Sequence, residues 1–479
     1  MNKRTFKNLI GEKQFWYQTL MLALPIAFQN LLTSSFVLVD TLMVGQLGDV
    51  ALSSVGMAGQ WSWLMNMVVF GICSGASVFV SQYWGAGDVK GIHKITGISV
   101  IVGLIVVALF MLPAFFLPGV VVGLFNKNAA VIQSGSTYLK IACFSYPGTV
   151  LGTLLGAVLR SVEDVKLPVY SALFTTILNA VLDFLLIFGF WRIPGMGVMG
   201  AAVATCISAW AGPIVILTIS LAKKNILYAP LKDIFCFNKN LIAQFLKKAL
   251  PVVANESLWG IAVFLFNMIF ANLGHENYAA VTILKTVENI AFTLLIGLGN
   301  ACCVIMGMSV GSGDIKKAVD GSKRYAVFIP MMTCIVSVIL ILFRGQVIGL
   351  FNLGNKLTQH TIDTAMIISL IYAVEYPIRS ISYTFIVGIF RSGGDTVTGA
   401  KLDFISTCVV ALPITFILAY FVKAPFPVVY AAMYVCDDYL KAFMCIKHYR
   451  TYSWLKPVTT EGKINFEKYL QNQHTASKK

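Results

Sequence analysis

Four oxygen-bearing residues stand where a chain this apolar ordinarily places hydrocarbon: Asp40, Asn179, Asp183 and Thr205. Asp40 falls near the end of an apolar run, Ala23 to Gly48, that is long enough to cross a bilayer. A carboxylate at the centre of such a helix costs about 3 kcal/mol on insertion scales, so it marks a protein interior or a watery cavity and a functional site. Asn179 and Asp183 are four residues apart and share one face of another apolar helix. Two carboxylates, an amide and a hydroxyl form a hard-oxygen set, suited to a sodium ion or to shared protons. Thr205 alone has a plainer reading, a hydroxyl bonded back to its own helical turn. Two like charges in low dielectric have no such plain reading unless something titrates or binds there. Pro25, in the same run as Asp40, removes a backbone hydrogen bond and makes a weak point about which that helix can bend.

The elements that must position these residues are membrane spans. The chain has 479 residues, 57% hydrophobic and 12% charged, with a mean hydropathy of +0.79. A soluble globular protein carries roughly a quarter charged residues. The fold class is therefore all-α polytopic membrane protein, with twelve transmembrane helices. The first apolar run is too long for a cleavable signal and lacks a small-residue cleavage site. Spans are expected near 15–45, 51–82, 95–117, 134–158, 167–190 and 195–222, then near 243–273, 277–308, 322–344, 361–390, 402–421 and 427–449. The net charge of +15 suggests nucleic acid only until its placement is read. Lys127, Arg192, Arg344, Lys356 and Lys423 are the basic residues on one side, and Lys140, Lys285 and Arg379 fall within spans. The rest lie on the other side, which the positive-inside rule makes cytoplasmic, with both termini there. Nucleic acid is not an expected partner; anionic lipid is. Counted from the cytoplasmic ends, Asp40 and Asp183 lie roughly 16–25 residues along their helices at ~1.5 Å each, in the outer half of the membrane. Thr205 returns to a similar depth. The ten cysteines and five histidines are scattered, with no spacing for a disulfide framework or a metal cluster.

The chain repeats itself. At an offset of 226, Ala23-Leu-Pro25 matches Ala249-Leu-Pro251, Leu47-Gly48 matches Leu273-Gly274, Gly85-Ala-Gly-Asp88 matches Gly311-Ser-Gly-Asp314, and Leu124-Phe-Asn126 matches Leu350-Phe-Asn352. With a drift of four or five residues, Tyr146-Pro147 meets Tyr376-Pro377, and Arg160-Ser161 and Asp164 meet Arg391-Ser392 and Asp395. Six spans per half, an even number, give both halves the same orientation: two six-helix parallel-repeat lobes, an architecture of transporters. The expected organisation is residues 1–222 for the N-terminal lobe, 223–242 for a cytoplasmic linker, 243–450 for the C-terminal lobe, and 451–479 for a polar, partly disordered cytoplasmic tail. The Gly-x-Gly-Asp loops lack the spacing and lysine of a phosphate loop and read as tight turns that cap the next helix. The repeat fails at the chemistry. Opposite Asp40, Asn179 and Asp183 stand Phe266, Val410 and Ile414, so the polar set is not a demand of lobe packing.

The repeat, the Leu-Pro…Val-Asp-Thr-Leu-Met-Val-Gly-Gln-Leu-Gly element, Arg-Ser-x-x-Asp after the fourth and tenth spans, and Asn179-Ala-Val-Leu-Asp183-Phe-Leu-Leu-Ile-Phe-Gly189 together resemble the multidrug and toxic compound extrusion (MATE) transporters over about residues 15–450. The resemblance implies a secondary antiporter that exports cationic or amphipathic drugs in exchange for protons or sodium by alternating access. It places Asp40, Asn179, Asp183 and Thr205 on the cation-ligand positions of the branch with an N-lobe site, and Pro25 on the proline of the bending first helix. It implies no enzyme activity and no cofactor beyond the coupling ion, H+ or Na+. A C-lobe cation site would need an acid where this chain has Ser380; Glu256 resembles that branch's other acid and is a candidate for drug or proton contact. Glu256 shows no local cation partner in sequence, whereas Glu375 with Arg379 and Lys285 with Glu288 are spaced as internal ion pairs. The alternative within the same superfamily is a lipid-linked oligosaccharide flippase, disfavoured because Lys140, Lys285 and Arg379 are few cations for a pyrophosphate. A membrane enzyme lacks its nucleophile–base or metal constellation. The expected setting is the inner or plasma membrane, as a monomer.

Overall fold

The structure, a computed structural model, describes residues 13–125, 128–190, 194–351 and 357–476. Asn126 and Asn352 of the repeat, and the outside charges Lys127, Arg192 and Lys356, lie beyond the described residues. Long helices dominate: α1 (Lys13–Gly45), α2 (Asp49–Gly85), α3 (Val89–Phe116), α4 (Ala129–Ser161), α5 (Lys166–Phe188), α6 (Val198–Lys223), α7 (Lys239–Asn272), α8 (His275–Gly311), α9 (Ile315–Phe351), α10 (Gln359–Gly393) and α11 (Thr396–Tyr420). These eleven are long and apolar enough to cross a membrane. A twelfth, α12, runs Phe426–Tyr434, a π segment Val435–Tyr439, and Leu440–Tyr449. It carries Asp437, Asp438 and Lys441 in mid-helix. Helices are what apolar sequence of this length must form in lipid, because each satisfies its own backbone polar groups.

The Gly-x-Gly-Asp turns cap the next helix. Gly87 and Gly313 have φ of +73° and +77°, the left-handed conformation that glycine adopts freely. Asp88 Oδ1 accepts from Gly91 N at 2.9 Å, and Asp314 Oδ1 from Lys317 N at 3.0 Å. Asp395 does the same for Thr398 N at 3.3 Å.

The described chain forms two compact units. The first takes the start of α1 up to Ala27, the segment Ser81–Gly87, and everything from Ala254 onward; the second takes Phe28–Val80 and Asp88–Val253. The chain changes unit after Ala27 and again after Val253, at equivalent repeat positions two residues beyond Pro25 and Pro251. Within the first unit the repeat shows as reciprocal contact. A Cβ added at Gly85 would strike the Met308 carbonyl oxygen, and one at Gly311 would strike that of Gln82. Residues 85 and 311, and 82 and 308, are repeat partners, so the ends of α2 and α8 cross where only glycine lets two backbones touch.

The tail beyond Tyr449, expected to be partly disordered, is folded through residue 476. Trp454 is fully buried and packs on Gly393, Leu455 pairs with Gly394, and α13 spans Thr460–Ala476. Lys456 Nζ and His448 Nε2 reach the two oxygens of Asp395 at 2.8 and 2.7 Å. Thr459 donates to the Gly311 carbonyl at 2.9 Å. Burial opposes ionisation of Asp395, but its bonds to Lys456, His448 and Thr398 outweigh that and hold its carboxyl below the usual range. A polar composition did not mean disorder, because Trp454 is buried and Lys456 and Thr459 find specific acceptors in Asp395 and the Gly311 carbonyl.

Candidate functional site: an unpaired carboxylate pair

The second unit gathers the expected oxygen ligands. α1 supplies Asp40, α5 supplies Asn179 and Asp183, and α6 supplies Thr205. Asp183 is 0% exposed, and neither of its oxygens has a hydrogen-bond partner among the described residues. Asp40 is half-buried and its Oδ1 is likewise unpartnered. The two carboxylates lie within electrostatic reach of each other. Leaving one buried acceptor unmade costs roughly 1–3 kcal/mol, more when it is charged, so a proton or a cation at this place would stabilise the arrangement.

The remaining members differ in how committed they already are. Asn179, 1% exposed, donates from Nδ2 to Ser208 Oγ at 3.1 Å. Ser208 in turn donates to Ala204 O at 2.6 Å. Thr205 donates to Ala201 O at 2.9 Å, which is the plainer local bond, and leaves its oxygen lone pairs for another donor. Tyr138 of α4, buried beside this set, lies within electrostatic reach of Asp40 and Asp183. Sequence reasoning missed Tyr138, since a tyrosine in a span carries no signal by itself. It also missed Asn30 of α1, whose Nδ2 is buried without a partner. Directly after Asp183 the helix widens into a π segment, Phe184–Phe188, a distortion frequent at functional sites. Pro25 stands inside α1, half-buried, with the helix continuous through it.

The first unit treats its charges in the opposite manner. Glu256, which has no local cation partner in sequence, is paired with Arg391 at 2.6 Å; this partner stands in the repeat motif at the end of α10, 135 residues away. The two pairs expected from helical spacing do not close. Arg379 packs over the rings of Phe292 and Tyr434 at 5.4 and 5.5 Å and makes no ion pair with Glu375. Glu288 accepts from the phenols of Tyr430 and Tyr434 at 2.8 and 2.7 Å rather than bonding Lys285. Aromatic neighbours across the unit outcompete same-helix partners because their rings and hydroxyls are already fixed by packing. Ser380 is fully buried and shares a 2.9 Å hydroxyl contact with Thr333. Sequence also overlooked the mid-helix charges Asp403, Asp437, Asp438 and Lys441; two adjacent aspartates in an apolar span were the available signal. Among the described residues no group of three His, Cys, Asp or Glu side chains is placed to hold a metal ion.

Comparison with known proteins fixes what kind of molecule carries this site. The chain is 26% identical over 436 residues to a probable multidrug resistance protein NorM of Thermotoga maritima, covering 87% of this chain and 89% of the relative. It is 22% identical to the uncharacterised transporter YisQ of Bacillus subtilis, over 87% and 90% of the two chains. In three dimensions it is similar to a MATE crystal structure in the bent conformation, with a TM-score of 0.82 at 17% identity over 97% and 98% of the chains. The MatE family model matches twice, at residues 25–185 and 251–417. Those matches start at Pro25 and Pro251 and thus repeat at the internal offset of 226. The chain belongs to the MatE family: it is a multi-pass membrane transporter, not an enzyme.

Proposed function

We propose that this protein is a secondary active antiporter that exports cationic or amphipathic drugs in exchange for H+ or Na+, with Asp40 and Asp183 as the coupling pair. The observation that carries the reading is the buried Asp183 carboxylate with no hydrogen bond to either oxygen, facing a second carboxylate. Asn179 and Thr205 complete the set of oxygens, with Tyr138 beside them. The NorM relatives, named for multidrug resistance, support the drug class. Both termini are taken as cytoplasmic, in the inner or plasma membrane, on the charge asymmetry.

The mechanism follows from linkage. A ligand shifts a two-state equilibrium only by its difference in affinity for the two states. Protons or sodium entering from outside relieve the repulsion between Asp40 and Asp183 and favour the form that releases drug outward. Loss of that cation inside restores the drug-accepting form. Each elementary charge moved through ~100 mV contributes about 2.3 kcal/mol, enough for a gradient of almost two orders of magnitude. The bend in α1 is assigned to Pro25. Glu256, bound to Arg391, is assigned to drug contact rather than coupling.

The test is efflux in vesicles with an imposed pH or sodium gradient. Asp40→Asn keeps shape and removes the titratable group, so driven efflux is expected to disappear while drug counterflow persists. Wild-type rates of driven efflux in that variant under both gradients would refute the assignment.

A further inference from the structure

The first unit buries one ammonium between two carboxylates and a hydroxyl. Asp403 and Thr407 on α11 face Asp437 and Lys441 on α12. The Lys441 ammonium, on a residue 7% exposed, is held by Asp403 Oδ1 at 2.5 Å, Asp437 Oδ2 at 3.0 Å and Thr407 Oγ1 at 3.2 Å. Asp437 Oδ1 accepts from Ser406 at 2.6 Å and from Thr407 at 2.8 Å, which fixes the cage independently of the lysine. Both helices are distorted there into π segments, Ile405–Ala411 and Val435–Tyr439.

Two further observations show that the cage is built for a positive charge and is open to water. It carries two carboxylates for one ammonium, and Asp438 beside it, 3% exposed, is also faced by the Arg379 guanidinium. Asp437, Asp438 and Thr407 all line a partly open cavity of about 300 Å³ in this unit. That volume is large enough for the waters that a small ion needs beyond the three protein oxygens.

We propose that Lys441 is a tethered cation: its ammonium occupies a site in the C-terminal half that would otherwise bind a monovalent cation of sodium's size. A side chain cannot be released to either side of the membrane. The C-terminal half is therefore permanently charged and exchanges no coupling ion, which goes beyond assigning the exchange to Asp40 and Asp183. A purely structural ion pair would show the same distances, but the two accounts part company once the lysine is removed. A structural pair leaves a defect that every salt screens alike, whereas a cation site leaves a vacancy that selects an ion.

The experiment is thermal unfolding of the purified full chain in detergent, in sodium chloride against choline chloride at equal ionic strength. Every protein carries Asp183→Asn, so that any sodium response of the N-terminal pair is removed from the comparison. Lys441→Met in that background is expected to lose stability in choline and to recover by several degrees in sodium. The Asp183→Asn parent, and the further variant Lys441→Met with Asp437→Asn, are expected to show no sodium-specific shift. Recovery of Lys441→Met only when it is extracted in sodium would count for the proposal. Should it be recovered in neither salt, Lys441→Gln takes the same comparison. A variant lacking the lysine whose unfolding is the same in both salts, or a parent with an equal sodium shift, overturns the proposal.

Discussion

Asp40 with Asp183, and Asp403 with Asp437, are the same chemistry kept in opposite conditions. The first pair, on α1 and α5, lies within electrostatic reach, with three buried oxygens that have no hydrogen-bond partner among the described residues. The second brackets an ammonium and accepts two hydroxyls besides. A buried carboxylate that is fully bonded contributes to one rigid structure; a buried carboxylate left bare is stable only with something that arrives and leaves. On the proposed reading the difference separates a site of exchange from a site of permanence within one fold, although both halves carry the same repeat. The partner positions say so directly: Phe266 stands where Asp40 would be and stacks on Phe270 at 6.5 Å, with no polar group to satisfy.

The sharpest break of the comparison is one substitution made twice. Asp437→Asn strands Lys441 beside a single carboxylate, and removing one partner of a buried pair costs about 3–5 kcal/mol. Asp183→Asn removes an unsatisfied charge and is expected to leave the unfolding temperature unchanged or higher, while abolishing driven efflux. Chemical or thermal unfolding of the two variants, alongside vesicle transport, reads both halves. If Asp183→Asn were the more destabilised, the pair would be structural after all.

A smaller effect is expected at Glu256. Glu256→Gln leaves Arg391, 3% exposed, with one weaker bond, and a hydrogen bond to a charged group is worth about 1.5–3 kcal/mol. Export of monovalent cations is expected to weaken while the driven efflux of neutral or zwitterionic substrates persists. Loss of driven transport for every drug with counterflow intact would move coupling to this half.

The mildest concerns Asp395, the bonded carboxylate outside the membrane. Its folded pKa is lowered, so its contribution is present above the unfolded value near ~4 and is lost as pH falls through the folded one. Asp395→Asn at neutral pH is expected to release the tail by about 1–2 kcal/mol, seen as faster proteolysis after Tyr449. At a pH below both pKa values, where the wild-type carboxyl is protonated too, the variant and wild type converge. Equal protection at pH 7 would show that Trp454, not the ion pairs, holds the tail.

Length, hydropathy, the repeat and the isolated acids were determined by sequence alone. Asp40 and Asp183 stood out in the sequence because a charge in a span is costly, and because the repeat fails at both positions. Helix caps such as Asp88 and Asp314 were legible because they act across three residues. What only tertiary structure decided was partnership over long separations. Glu256 finds Arg391, Glu288 finds Tyr430 and Tyr434, Lys441 finds Asp403, and the polar tail finds Asp395, Gly311 and Gln82. Helical spacing suggested Glu375 with Arg379 and Lys285 with Glu288, and the fold chose neither. The physical reason is that hydrophobicity and periodicity are local sums, readable residue by residue, whereas the fate of a buried charge depends on which donor or acceptor another helix brings within three ångströms of it.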